Sequence, residues 1–516
     1  MLRSLLTVGG WTIASRVSGF FRDVLLGAVL GAGAIADAFV IAFRLPNHFR
    51  AIFGEGAFNS AYVPAYSRAL QTHGPAEAKR FSSQIFSLLL ISQIVFLAFA
   101  LIFTPAFVRV LAPGFESDPE KFAHAVTLTR ITFPYLLCVT LVTLHSGTLN
   151  ANGHFAAAAF APVVLNLTMI VFVALAFLFP NAGVAASLGV TISGALQLAL
   201  MMIAARRAGV LEGIERPRWS DDVRRFFRAL GPAVIGAGGV QIALFADTII
   251  SSLLPTGGPS SIYYADRIYQ LPIGVIGIAA GTVLLPEMSR LFAAGDAESA
   301  RHAQNRTMAL TLTLAAPFFI AFLIMPDLVM RAVFVRGRFT MADADAAAAV
   351  LAAYGVGLLA IVLIRSAVAS FQAKGDTTSP MIVALAAVAV NVGLKLVLFR
   401  PFGAPGLAFA TAIGAWLNLV LLVVLALRRG TMQFDDVFTR SAFATAAGAV
   451  VLANVGLWGR EPLEHALSGL HFANEIALIV LTLTGGLIYC GFLLFGLRAL
   501  GIRFADFSGR VSPRPV

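Results

Sequence analysis

The chain has 516 residues, of which 59% are hydrophobic and only 12% charged. Soluble domains carry about a quarter charged residues, so this composition excludes an ordinary soluble protein. The formal net charge of +11 would suit a nucleic-acid-binding protein, but in a membrane protein such an excess is typical of cytoplasmic loops. Between Ile131 and Ala205 no Asp, Glu, Lys or Arg occurs. That gap has room for about three membrane-spanning helices of about 20 residues each.

Apolar windows bounded by charges, proline or glycine predict about fourteen transmembrane helices, so the predicted fold class is an all-α polytopic membrane protein. Short turn sequences such as Gly31-Ala-Gly33 separate several of them and make neighbouring helices run antiparallel. The predicted spans are 5–30, 34–65, 82–108, 124–148, 155–179, 183–205, 226–254, 260–287, 307–334, 346–372, 378–399, 404–427, 440–459 and 475–498.

Short motifs recur 222 residues apart at equivalent places between the predicted helices. The pairs are Asn152-Gly153 with Lys374-Gly375, Arg206-Arg207 with Arg428-Arg429, and Tyr66-Ser-Arg68 with Met288-Ser-Arg290. Chance agreement among such dipeptides is the alternative to a true repeat. Each copy would hold six helices, an even number, and would therefore have the same orientation as the other. Parallel repeats of this kind build two lobes around a central cavity in transporters.

The repeat predicts four parts of the chain. These are a first lobe over 1–208, a cytoplasmic amphipathic linker over 209–228, a second lobe over 229–430, and two further helices with a cytoplasmic tail over 431–516. Within the linker, Ser220-Asp221-Asp222 predicts a helix start, because a hydroxyl caps the end and acids favour the first turn.

Lysine and arginine are unevenly divided between the two sides that this topology creates. Twenty-two lie on the side of the N-terminus and seven on the opposite side. Cytoplasmic loops are the ones rich in these residues, so both termini are predicted to face the cytoplasm. The loop from Arg331 to Arg338, with three arginines on the opposite side, is the exception.

Charged residues are concentrated where a membrane-spanning segment should be apolar. The first two predicted helices contain Arg16, Arg22, Asp23, Asp37, Arg44, Arg50 and Glu55, and the second lobe adds Asp247, Asp266, Arg267, Arg365 and Lys395. Such groups are costly in hydrocarbon and mark a substrate path or a compensating pair. Because arginine is a planar, permanently charged donor for phosphate oxygens, the excess of arginines predicts an anionic, phosphorylated substrate. A purely structural charge network is the alternative.

Two further features of these helices leave alternatives open. Asp37 and Arg44 lie two helical turns apart on one stripe, so pairing within the helix or with a neighbour competes with ligand contact. Glycines at Gly19, Gly54 and Gly56 predict hinges, whereas close helix packing is the other use of glycine in membranes. No HExxH, GxSxG, Walker A or Cys-x-x-Cys pattern occurs, so neither an enzyme nor a metal or cofactor site is predicted.

Several longer motifs stand in the same stretch and beyond it. They are SRVSGFFRD at 15–23, GAG at 31–33, ADAF at 36–39, RLPN at 44–47, RAIFGEGAF at 50–58, FPY at 133–135, FAP at 160–162 with Asn166, YYADR at 263–267, LLP at 284–286 and RGRF at 336–339. In these motifs the chain resembles, over essentially its whole length, the MurJ/MviN family of lipid II flippases. That family belongs to a superfamily of two-lobed multidrug and polysaccharide exporters.

The resemblance implies a function and a site. The substrate would be undecaprenyl-diphosphate-disaccharide-pentapeptide (lipid II), moved from the inner to the outer leaflet of a bacterial cytoplasmic membrane for cell wall synthesis. The implied substrate-binding residues are Arg16, Arg22, Arg50 and Arg267 with Asp37 and Glu55 nearby, and Arg44 and Asn47 of the same motifs are further candidates. No cofactor or nucleic acid is implied. The expectations are a monomer among membrane phospholipids, cell-wall synthesis proteins as partners, and membrane potential or an ion gradient as driver.

Some members of the resembled family share a sodium site in the second lobe, built from an acid and polar groups. Asp247, Asn391 and Thr411 match those positions. Lys395, however, lies where an acid is expected, so a buried Asp247–Lys395 pair in place of the ion is the alternative.

Three classes of protein therefore compete. A flippase for lipid II predicts a cationic cavity. An exporter of drugs or of another polyprenyl-linked oligosaccharide predicts a similar fold with an acidic or neutral cavity. An intramembrane enzyme would need positioned carboxylates or a metal site, but the acids here are interleaved with arginines at mid-span.

Overall fold

The computed structural model describes residues 2–50 and 57–502, and within these ranges the chain forms helices and turns without a β-strand. Arg50 and a few other helical residues are described by their backbone alone. The α-helices are α1 Leu2–Leu30, α2 Ala34–Arg50, α3 Ala57–Ile102, α4 Thr104–Leu111, α5 Pro119–Ala151, α6 Ala156–Ala174, α7 Ala182–Arg207, α8 Asp221–Ser252, α9 Gly258–Pro272, α10 Ile278–Ala293, α11 Ala297–Ile324, α12 Pro326–Phe334, α13 Met341–Gly355, α14 Leu358–Gln372, α15 Thr378–Arg428, α16 Asp436–Leu467 and α17 Ala473–Ala499.

The all-α polytopic class is confirmed. Ten helices in the described part of the chain are long and apolar enough to cross a membrane. One of them, α15, covers two predicted spans, and its backbone is non-helical at Gly403 (φ 59°, ψ −138°) between them. The count of fourteen spans stays a prediction.

Helix boundaries differ most from the prediction in α3. The sequence predicts a loop between residues 65 and 82, but α3 runs from Ala57 to Ile102 with one non-helical residue, Gly74 (φ 83°, ψ 177°), before Pro75. Hydropathy detects where an apolar segment ends, and a polar helix can continue beyond that point into water. The helix start predicted at Ser220 is confirmed, because its side chain accepts a hydrogen bond from the Val223 amide.

By its contacts the chain divides into two compact units. Unit 1 comprises Met1–Ser260 with Arg336–Phe339, and unit 2 comprises Ser261–Val335 with Thr340–Val516. The lobe boundaries derived from the repeat stay a prediction.

The short segment 336–339 belongs to unit 1 because it lies directly on α1. The Arg338 amide donates to the Ala28 carbonyl at 2.7 Å. Gly337 has a positive φ of 59°, and a Cβ there would lie 2.2 Å from the Ala28 oxygen. Gly31 (φ 67°) likewise leaves no room for a Cβ, which would lie 2.8 Å from the Arg338 oxygen. Glycine is needed at both positions for conformation and for space.

Unit 1 is built around α5, which packs against α2, α3 and α7, while α6 packs against α1 and α7. One core cluster of this unit joins buried side chains of several of these helices, including Phe39, Leu128 and Met169. Large apolar side chains such as Val171 and Ile203 remain exposed, as expected for helices that face lipid rather than water.

In unit 2, α16 packs on α11, and α17 packs on α16 and α12. The Tyr489 hydroxyl of α17 donates to the Thr313 carbonyl of α11 at 2.9 Å. Arg460 of α16 binds both carboxylate oxygens of Asp327 on α12. Although partial burial raises the pKa of Asp327, the hydrogen bonds and charge of Arg460 outweigh it and hold that pKa below its usual value.

Candidate functional site

Arg22 of α1, one of the predicted substrate-binding arginines, is buried and hydrogen-bonded to neighbouring side chains. It is 7% exposed. Its Nε and Nη2 donate to Asp23 Oδ1 at 3.0 and 2.7 Å, and its Nη1 donates to Asn166 Oδ1 of α6 at 2.8 Å. The guanidinium plane is therefore fixed from two sides before any ligand binds.

Asn166 positions both this guanidinium and the α1 backbone. Its Nδ2 donates to the Ser15 carbonyl at 2.8 Å and to Ser18 Oγ at 3.1 Å. A Cβ at Gly19 would lie 3.3 Å from the same nitrogen, so Gly19 permits the close approach of α6. This contact favours the packing role of Gly19 over the hinge role, which stays a prediction. Asn166 belongs to the FAP motif region but was not predicted as a site residue.

Asp37 is enclosed by donors from unit 1. Its side chain is fully buried and accepts four hydrogen bonds: from Lys121 Nζ at 2.7 Å, the Gly257 amide at 2.9 Å, and the amide and hydroxyl of Ser260 at 2.9 and 2.7 Å. Four bonds use the acceptor capacity of a carboxylate. Of the two roles considered from the sequence, pairing is therefore favoured, and the partner is Lys121 rather than Arg44.

Lys121 was missed because the sequence places it in a loop before a span. It is 3% exposed, and its ammonium lies 4.3 Å from the Phe115 ring centroid. A signal did exist: an acid inside a membrane segment requires a nearby base, and Lys121 is one of few bases on that side.

The remaining predicted arginines lie in different settings. Arg16 on α1 is exposed and Arg44 on α2 is half-buried. Arg267 on α9 is half-buried, with its guanidinium carbon 4.5 Å from the Tyr263 ring centroid. The side chain of Arg50 and the residues Gly54, Glu55 and Gly56 lie outside the described residues.

The possible ion or charge-pair residues are divided between the two units. Asp247 is half-buried on α8 in unit 1, and Lys395 is 3% exposed on α15 in unit 2. Asn391 and Thr411 lie on the two arms of α15, on either side of Gly403, and the Thr411 hydroxyl donates to the Leu407 carbonyl at 3.1 Å. In the described part of the chain no three His, Cys, Asp or Glu side chains cluster as metal ligands would.

A second buried polar cluster fastens the start of the linker to α5. Glu212 is 6% exposed; its Oε2 lies 2.6 Å from His145 Nδ1, and its Oε1 accepts from Thr148 Oγ1 at 2.5 Å. Tyr62 of α3 continues the chain of hydrogen bonds to Thr148 at 2.7 Å. Nearby, the amides of Gly213 and Glu215 donate to serines of α3 at 3.0 and 2.9 Å. His145 and Glu212 are 67 residues apart in the sequence, and this cluster was not predicted.

Two of the cavities in the described part of unit 1 lie between its helices. One of about 570 Å³ is lined mainly by apolar residues of α1, α5, α6 and α7 with Arg207 among them. The other, of about 340 Å³, is lined by residues of α2, α3, α5, α6 and α7, including the predicted site residue Asn47. Asn47 Nδ2 also donates to the Phe43 carbonyl at 2.9 Å.

The comparisons by sequence all match lipid II flippases. The family model described as "Lipid II flippase MurJ" matches residues 26–477. A "Probable lipid II flippase MurJ" of Rhizobium meliloti (strain 1021) is 40% identical over 518 residues, covering 98% of this chain and 95% of the relative. A "Lipid II flippase MurJ" of Burkholderia cenocepacia is 31% identical, covering 99% of each chain.

Solved structures show the same fold. A lipid II flippase MurJ in an inward closed conformation is similar with a TM-score of 0.80 at 23% identity, covering 96% of this chain and 99% of that one. An inward-facing MATE family transporter of the MOP superfamily is similar with a TM-score of 0.65 at 15% identity, covering 84% and 95%.

Proposed function

We infer, from the premise that this chain belongs to the MurJ family of lipid II flippases, that it moves lipid II across the membrane by alternating access for peptidoglycan synthesis. The observation that carries this conclusion is the family match over residues 26–477, supported by relatives matched over nearly their whole length. The family comprises transporters and not catalytic enzymes. Within the described residues, ten apolar helices fit the membrane location that this function requires.

We propose that transport runs from the cytoplasmic to the periplasmic leaflet, with both termini in the cytoplasm. The asymmetry of 22 against 7 lysines and arginines supports this orientation. In this orientation the Lys121 end of α5 is outside and the His145 end is inside.

We propose that the diphosphate of lipid II is clamped by Arg16, Arg22 and Arg50 of the first predicted lobe and by Arg267 of the second. Arg22 supports the proposal most directly, because Asp23 and Asn166 already hold its guanidinium. A prearranged fork loses little conformational freedom when it binds phosphate oxygens. Because the clamp would bridge both lobes, binding would favour closure on the cytoplasmic side.

We propose that the contacts of Asp37 with Gly257 and Ser260, and of Arg338 with Ala28, hold the outer ends of α1 and α2. All of them are short backbone or charge-assisted hydrogen bonds. Opening toward the periplasm would require at least some of them to break. They explain the charge of Asp37 without direct substrate contact.

We propose a monomer driven by membrane potential, without a bound sodium ion. Moving one charge across 100 mV releases about 2.3 kcal/mol. The burial of Lys395 supports a structural counter-charge, for which Asp247 is the proposed partner. If this is right, the melting temperature of the purified chain will be the same in sodium and potassium chloride. Stabilisation by sodium alone would instead indicate an ion site.

The decisive experiment is complementation of a bacterial strain depleted of its own lipid II flippase. Depletion alone should cause lysis with lipid II accumulating in the inner leaflet, and this chain should restore growth and clear the accumulated lipid. Arg22→Ala and Arg267→Ala should fail at normal membrane abundance, and the lysine variants should be impaired less, because lysine keeps the charge and loses the fork.

The matched control is Arg109→Ala, which removes an exposed arginine paired with Glu116 and should leave growth unchanged. Full growth from both Arg22→Ala and Arg267→Ala would overturn the clamp. Growth failure without lipid II accumulation would overturn the assignment of the substrate.

A further inference from the structure

The 340 Å³ cavity of unit 1 has a lining that differs from the charged site beside it. None of the lining residues is charged. Apolar residues such as Pro162 and Leu165 line it together with polar side chains from four helices. The polar ones are Asn47, Asn59, Tyr135, Thr143, Ser146 and Gln197. Its volume is near the lower end for ligand pockets, which begin at about 300 Å³. Neutral donors and acceptors opposite an apolar wall are the recognition chemistry of an uncharged polar ring.

Two buried polar groups in this lining have unused hydrogen-bonding capacity. Gln197 is 4% exposed, and its Nε2 has no hydrogen-bond partner among the described residues. The buried Asn59 Oδ1 is likewise without a donor in the described part of the chain. Buried polar atoms are nearly always bonded. Both residues line the cavity, and an amide N–H and an amide oxygen without partners match a ligand that carries both oxygen acceptors and hydroxyl or amide donors.

The cavity adjoins the arginine proposed to bind diphosphate. Leu165 of α6 lines it, and the next residue, Asn166, accepts the 2.8 Å hydrogen bond from Arg22. The cavity and the Arg22 contact are therefore both built on α6, at consecutive residues of the chain.

We propose that the cavity is the subsite for the saccharide attached to the diphosphate of the substrate. The inference rests on the proposed function and adds to it a means of selecting the glycosylated lipid. Gln197 donates to a sugar or acetamido oxygen, Asn59 accepts from a hydroxyl or amide, and Pro162 with Leu165 packs on the C–H face of the ring. Undecaprenyl diphosphate without sugar would use the arginines but leave these groups unbonded.

The test compares two lipids on the purified full chain in nanodiscs, with dissociation constants measured for lipid II and for undecaprenyl diphosphate. Gln197→Leu and Asn59→Leu should each weaken lipid II binding about tenfold, the value of one good hydrogen bond. Neither should change the affinity for undecaprenyl diphosphate. Gln197→Leu removes an Nε2 that has no hydrogen-bond partner among the described residues, so the melting temperature should not fall. Arg22→Ala should weaken both lipids.

The matched control is Ser193→Ala, one turn earlier on α7, where a buried hydroxyl is already bonded to the Val190 carbonyl; neither affinity should change. The subsite is overturned if both leucine variants bind lipid II as tightly as the unaltered chain, or if they weaken the two lipids equally. Failure of the unaltered chain to bind either lipid would overturn the proposed function itself, and the subsite with it.

Discussion

Replacing Asp37 with asparagine would leave the Lys121 ammonium buried beside a neutral amide. The two side chains are 0% and 4% exposed and 2.7 Å apart, so neither charge can be rehydrated without moving a helix. Removing one partner of such a pair costs about 3–5 kcal/mol. The new asparagine still offers an oxygen to the amides of Gly257 and Ser260, so we expect about 3 kcal/mol for Asp37→Asn, at the lower end of that range.

Lys121→Met should cost a similar amount, because it leaves the carboxylate buried with its three remaining donors. The double variant has no buried charge left. We therefore expect it to be about 2–3 kcal/mol more stable than the sum of the single effects predicts, as close buried partners couple by such amounts. The measurement is a double-mutant cycle on the free energy of unfolding in detergent micelles.

The matched control for this cycle is the exposed pair Arg109–Glu116, for which coupling of about 0–1 kcal/mol is expected. Additivity of Asp37→Asn and Lys121→Met within about 0.5 kcal/mol would refute the reasoning. That result would mean that the two charges are solvated independently.

Three other predictions concern stability. Gly337→Ala should lower the melting temperature more than Gly375→Ala. Both glycines have positive φ, but only at Gly337 would a Cβ lie 2.2 Å from an α1 carbonyl oxygen. Equal shifts in melting temperature would show that backbone conformation alone matters. Glu212→Ala should lower the free energy of unfolding by about 2–3 kcal/mol, because its buried partners lose their hydrogen bonds. Glu215→Ala, at a half-exposed ion pair, should lower it by less than about 1 kcal/mol. Equal losses would contradict the anchoring role of Glu212. Because the pKa of Asp327 is lowered in the folded state, its ion pair with Arg460 stabilises the protein at neutral pH, and that stabilisation disappears as the pH falls below about 4. The difference in melting temperature between the unaltered chain and Asp327→Asn should therefore close below that pH. A difference that stays constant with pH would contradict this linkage.

The fold class was accessible from the sequence because hydrophobicity is a local property. Long stretches without charge leave few structures other than membrane helices. The continuation of α3 past its apolar segment could not be predicted from the sequence, since helices outside the membrane need no apolar signal. Motifs around Arg22 could be identified in the same local way, and the structure places Arg22 beside Asn166, 144 residues later.

The partners of the buried acids could not be predicted, because each comes from a distant helix. Lys121 is 84 residues from Asp37, and Glu212 is 67 residues from His145. The sequence shows that an intramembrane charge needs a counter-charge, but packing decides which base or acid supplies it. For Asp37 the nearest base on the same stripe, Arg44, was not the partner.

Two buried clusters hold α5 near its two ends: the Lys121–Asp37 pair and the His145–Glu212 cluster. Lys121 and His145 are 24 residues apart on one helix, a separation of about 36 Å, close to the thickness of the hydrocarbon core of about 30 Å. A shift of α5 along its axis by one turn, about 5.4 Å, would break the hydrogen bonds of both clusters at once. These contacts therefore hold α5 at a fixed axial position relative to its neighbours α2 and α3. Movements during transport must be absorbed by other helices, while α5 stays the fixed reference against which they move.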